Sequence, residues 1–178
     1  MKKLIASALT LVMALTLLVG CGAKAPAETA APEATVPDVD MTTLMDSVYG
    51  KHAEIDLPLM SNALDLSDAD MLKYNTGLSS ADKLTEVVVS EAMMGQPYSL
   101  VLVKVKDAAD AAAVAQEMFD NIDQRKWICV EADTKIVGYA GDVVMLFMVG
   151  SEFADMATTE TMMTAFKAAA GVQVTEIG

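Results

Sequence analysis

Histidine and cysteine are almost missing from this chain: one of the first and two of the second in 178 residues. A structural zinc site, a haem ligand set or an iron–sulfur cluster needs more imidazoles or thiolates than that. Basic residues are scarce as well. Twelve Lys and Arg stand against 25 Asp and Glu, a formal charge of −13. Little here would neutralise a phosphate backbone, so no nucleic-acid partner is expected. No G-x-S-x-G frame and no glycine-rich phosphate loop occurs, and no motif requires a cofactor. Acid–base chemistry has a single imidazole to draw on, His52. It falls at the end of a candidate helix, where the dipole favours a cation, and reads as a capping or surface residue.

What is present is apolar: 53% of the residues are hydrophobic. The first block of them is an address. Lys2 and Lys3 precede an apolar run, Leu4 to Val19, broken only by Ser7, Thr10 and Thr16. That run is short for a membrane span and suits the core of a signal peptide. It ends in Leu18-Val19-Gly20-Cys21, which resembles the bacterial lipobox. On this reading residues 1–20 are a lipoprotein signal peptide and Cys21 is the lipidated N-terminus. The mature protein is then held to the membrane by the lipid on Cys21, on the extracytoplasmic face of the cell membrane. Residues 21–39 carry three of the five prolines among small residues and read as a linker. A flexible linker of that length reaches about 25 Å as a coil and about 55 Å fully extended. With Cys21 consumed, Cys129 has no partner. In the apolar stretch Trp127-Ile128-Cys129-Val130 it reads as a small buried hydrophobe.

Residues 40–178 are enough for one core. Asp40 caps a helix over 41–53, whose apolar residues Met41, Leu44, Met45, Val48 and Tyr49 keep a helical period. Ser67 to Asp70 starts a short helix near 68–75, which Gly77 ends. Thr85 to Glu91 and Tyr98 to Lys106 form a hairpin. Val101, Val103 and Val105 share one face of the second strand, and Leu100, Leu102, Lys104 and Lys106 the other. A helix capped by Asp107 follows, with Val114, Ala115, Met118, Phe119 and Ile122 in its apolar stripe. Ile128 to Val130 reads as a short strand. Residues 135–139 and 143–149 form a second hairpin, a helix spans 152–170, and 172–177 closes with a strand. The order is β-β-α twice. It predicts an α+β fold: an antiparallel sheet built from two β-β-α units, with both long helices on one face. Strand 143–149 is apolar on both sides, so its second face needs a cover. Helix 41–53 is the available one within the chain; the alternative is a partner.

Three stretches, Val89–Met94, Tyr98–Lys106 and Arg125–Val130, together resemble a family of uncharacterised lipoproteins found mainly in Gram-positive anaerobes, the domain-of-unknown-function family numbered 4358. The resemblance spans 80–150 well and 40–80 loosely. It implies an α+β domain on a lipid anchor and brings no substrate, catalytic residue or cofactor. Ala92 stands where members often have Pro.

Two surface sets remain as candidate sites. Ser90, Glu91, Gln96 and Tyr98 cluster at the first hairpin, where they read either as a recognition edge or as ordinary turn chemistry. Arg125, Lys126 and Trp127 form the one compact basic–aromatic spot, a place for an anion or an acidic partner. The competing reading makes Trp127 a core anchor flanked by cations at a helix C-terminus. Asp107/Asp110 and Asp120/Asp123 read as solvated pairs rather than a cation site. The 14 methionines read as gap-fillers on apolar faces rather than metal ligands. With no catalytic constellation, the expected role is a non-catalytic interaction or accessory module of the cell envelope, with an envelope protein as partner. The alternative is a solute-binding lipoprotein, and an enzyme comes third.

Overall fold

The computed structural model describes residues 36–51 and 55–178, all within one unit, Pro32–Gly178. Cys21, His52 and the signal segment lie outside the described residues.

Four helices pack on a six-stranded sheet, an α+β fold. The strands are β1 (Leu59–Ala63), β2 (Leu84–Ala92), β3 (Tyr98–Val105), β4 (Thr134–Ala140), β5 (Val143–Val149) and β6 (Thr175–Ile177). Their order is β1-β2-β3-β5-β4-β6, every neighbouring pair antiparallel. The helices are α1 (Met41–Lys51), α2 (Ala69–Thr76), α3 (Ala111–Asn121) and α4 (Thr159–Ala170).

The caps do what their residue types predict. The Asp40 carboxylate accepts from the Thr43 N–H at 2.9 Å and the Thr43 hydroxyl at 2.8 Å. Asp68 accepts from the Met71 N–H at 2.9 Å. Thr158 and Thr161 close a reciprocal capping box. That box is why α4 begins at Thr159 and not near 152: residues Ser151–Phe153 form a separate 3-10 turn. Each strong start signal satisfies backbone donors that would otherwise be orphaned.

The two β-β-α units do not place their helices together. Val87, Val89, Val101, Val103, Val144, Leu146 and Met148 lie under α2 and α3. Leu100, Leu102, Met145, Phe147 and Val149 lie under α1 and α4. The expectation of both long helices on one face is therefore corrected: α3 and α4 are on opposite faces. Topology gives the reason. β3 and β4 are parallel with β5 between them, and β5 and β6 are parallel with β4 between them. Both crossovers step the same way along the sheet, yet β3 and β5 run in opposite directions. A right-handed connection in each case demands opposite faces. α1 does lie on the face away from α3, as the doubly apolar β5 required, and shares that work with α4.

Three smaller departures matter below. β1 has no sequence signature and is an edge strand exposed along most of its length. Val36, four residues before Asp40, is already buried against the α1 side of the core. Residues 127–129 form bends, and no strand runs through 128–130. The segment that holds them is closed on itself: the Ala132 N–H donates to the Gln124 carbonyl, and the Gln124 side-chain amide donates to the Ala132 carbonyl, both at 2.8 Å.

Candidate binding surface

The loop between α3 and β4, residues 122–133, is held from beneath. Trp127 is 7% exposed and belongs to the α3-side core. Lys126 is deeper still, its side chain 1% exposed. Its ammonium lies 2.5 Å from a Glu91 carboxylate oxygen, 3.2 Å from the Ser99 hydroxyl and 3.4 Å from the Asn75 side-chain oxygen. The rings of Tyr74 and Trp127 stand 5.0 and 5.2 Å from it. The Tyr74 hydroxyl donates to the Lys126 carbonyl at 3.2 Å. Glu91 and Ser99 reach the same point because they are directly opposed in the β2–β3 register. The ammonium thus has one carboxylate as ion-pair partner and donates to two neutral oxygens, with two rings beside it, surroundings that suit a buried cation. Burial pushes the Lys126 amine below its ordinary pKa, and the Glu91 carboxylate opposes that shift. Burial, then the charge of Glu91, pushes the Tyr74 hydroxyl up.

Above this pin the loop is open to solvent. Ile128 is 91% exposed. Cys129 is an exposed free thiol with a left-handed backbone, φ 67°. The buried-hydrophobe reading of Cys129 is corrected with the strand that carried it: the closed loop turns residues 128–130 outward. Arg125 is exposed and pairs through Nε with Glu131 at 3.0 Å. A cleft of about 390 Å³ is lined by Arg125 and Lys126 together with Asp70, Lys73 and Tyr74 of α2 and Asn121 and Asp123. A second, of about 410 Å³, shares Arg125 and is otherwise lined by Trp127, Cys129, Val130 and Glu131. Both volumes fall within the range of small-ligand sites. Both are open, and their walls mix charges of both signs.

The predicted sets are rearranged. Ser90 and Tyr98 are fully buried on the α1 side. There the Tyr98 hydroxyl donates to Tyr49 at 3.4 Å, and its ring meets Phe147 edge-on at 5.2 Å. Burial pushes both hydroxyls up, that of Tyr49 against an opposing effect from the neighbouring Ser90 and Tyr98 hydroxyls. Glu91 points to the other face, toward Lys126, and Gln96 is half-buried with its carbonyl oxygen enclosed. Ser90, Glu91, Gln96 and Tyr98 therefore form no common edge. Glu91 instead joins Lys126 from the other set. Lys126 and Trp127 anchor the loop, and Arg125 alone of that set faces solvent. Tyr74, Asn75 and Ser99 went unforeseen, since nothing local marks residues that complete a site across 27 to 52 positions of sequence.

Among the described residues, no group of three or more His, Cys, Asp or Glu is placed to hold a metal ion. Comparison with protein-family models, with curated proteins and with solved structures returned no match, so the likeness to lipoproteins rests on the residues quoted for it.

Proposed function

We propose that this protein is a lipid-anchored module on the extracytoplasmic face of the bacterial membrane, and that it works by binding an envelope partner through the loop 122–133. The lipobox and linker support the location. One observation carries the binding role: a loop fixed from below by a buried cation and a buried indole presents an isoleucine that is 91% exposed. A rigid base under an exposed apolar tip lowers the ordering cost of association and leaves apolar area to bury.

Solute binding is the second reading, favoured by the α2-side cleft and its mixed charge. A zwitterionic solute would set its carboxylate toward Arg125 and Lys73 and its ammonium toward Asp70 and Asp123. Arg125→Glu separates the two readings. It removes solute-induced thermal stabilisation if the cleft is the site, and it leaves a contact centred on Ile128 largely in place.

The location is tested with two variants. Cys21→Ala abolishes fatty-acid incorporation. A thiol introduced by Asp120→Cys, on the exposed side of α3, in a Cys129→Ser background reacts with a membrane-impermeant maleimide in intact cells. Unchanged fatty-acid labelling in the first, or reaction only after permeabilisation in the second, overturns the location.

A further inference from the structure

Most methionines of the folded domain are buried, Met41, Met45, Met118, Met145, Met148, Met162 and Met163 among them. Of the four exposed ones, Met71 stands alone on α2 and the other three share one corner. Met60 is 53% exposed, Met93 46% and Met94 85%. Gap-filling, the role the sequence assigns to methionine, cannot apply to side chains that face water.

The three residues are neighbours. Met60 opposes Glu91 in the β1–β2 register. The ladder continues beyond β2, where the Met93 N–H donates to the Pro58 carbonyl at 2.9 Å. Met60 and Met93 are thus diagonal cross-strand positions on one face, a separation that long side chains span. Met94 follows with φ 66° and ψ 26°, a left-handed conformation that costs a non-glycine residue about 1–3 kcal/mol. Glycine, the cheap residue for that backbone, comes one position later, at Gly95. An exposed thioether held at a strained turn gains nothing from packing in the free protein.

We infer that Met60, Met93 and Met94 form a site for a soft monovalent d¹⁰ cation, Cu(I), with Ag(I) as its laboratory surrogate. Thioethers are neutral, polarisable donors that select such ions over hard divalent ones. Glu91, opposite Met60, is engaged by Lys126, and among the described residues no group of three or more carboxylate, imidazole or thiol side chains is placed to offer the oxygens that Ca²⁺ or Mg²⁺ require. The overall negative charge draws any cation toward the domain. The ion is bound as it arrives, with no change of oxidation state, and the site does not depend on the proposed role of loop 122–133.

The test uses the full-length chain carrying Cys21→Ser and Cys129→Ser, so that no thiol competes. Anaerobic titration against a chromophoric Cu(I) competitor, and calorimetry with Ag(I), give one ion per chain. Met93→Leu and Met94→Leu each weaken binding by about tenfold or more, the scale on which even an outer-shell partner acts. The triple Met60/Met93/Met94→Leu variant keeps its melting temperature and loses the ion. In the parent, Ag(I) shifts the ε-methyl NMR signals of Met60, Met93 and Met94, and leaves that of Met71, which is 45% exposed on α2, in place. No binding in the parent, equal affinity in the triple variant, or an equal shift at Met71 overturns the site.

Discussion

Lys126→Met is the most informative single change. Methionine keeps the length of the stem between the Tyr74 and Trp127 rings and removes the charge. Glu91, Ser99 and Asn75 then lose their common donor. Breaking a buried pair from one side costs about 3–5 kcal/mol. The Glu91 side chain keeps 29% of its exposure and recovers some hydration, so the expected loss is about 2–3 kcal/mol. For a domain of this size that lowers the melting temperature by about 5–10 °C. The double variant with Glu91→Gln removes the stranded charge and recovers a large part of the loss, because neutral replacements of buried pairs are well tolerated. The pH dependence carries an independent sign. Burial holds the Lys126 pKa below its ordinary 10.5. The unfolded chain therefore binds the extra proton between the lowered pKa and 10.5, and stability rises with pH in that window. Thermal melts followed by circular dichroism below pH 10 show this slope in the parent and lose it in Lys126→Met. A single variant within about 0.5 kcal/mol of the parent, or a double variant worse than the single, refutes the pin.

Phe147 is fully buried on the middle strand β5, and Phe147→Ala lowers stability by about 3–5 kcal/mol in denaturant titrations. Phe119 is only partly buried and carries Lys135 over its ring at 4.6 Å, so Phe119→Ala costs less than half of that. Gly77 ends α2 with φ 77°, and an added Cβ would lie 2.5 Å from the Ile122 backbone nitrogen. Gly77→Ala thus costs more than the roughly 1 kcal/mol of a left-handed alanine, and a smaller loss means the α2–α3 contact yields freely. Tyr49 and Tyr98 hold their protons above the ordinary value of 10.0, so the stability they add is intact below pH 10 and falls as the pH climbs past it. Tyr98→Phe flattens that alkaline fall, and an unchanged slope contradicts the burial of its hydroxyl.

Local chemistry was legible and long-range closure was not. Asp40 and Asp68 each mark a helix start, because capping joins residues three apart, whereas the Thr158 cap escapes a reading that starts the last helix at 152. The alternation along Tyr98–Val105 separates its two faces, because side chains alternate along any strand. The opposite placement of α3 and α4 depends on strand order, and no local pattern encodes that β5 inserts between β3 and β4. The same holds for the site. Lys126 reads as a surface cation until β2, β3 and α2 converge on it, and Glu91 and Lys126 belong to one motif only in three dimensions. Ile128 to Val130 have strand-like composition, yet the hydrogen bonds between Gln124 and Ala132 close the loop around them and turn it outward.

Cys129 supplies a native reporter for whether loop 122–133 is covered by a partner. Its maleimide reaction rate in intact cells is compared with that of the purified full-length protein, and each is normalised to the rate at an Asp120→Cys thiol in a Cys129→Ser background. If the loop is the binding surface, Cys129 reacts markedly more slowly in cells than in isolation, Ile128→Asp restores the fast rate, and the thiol at position 120 reacts alike in both settings. Equal normalised rates for Cys129 in cells and in solution, with the protein anchored and folded, contradict the loop as a binding surface.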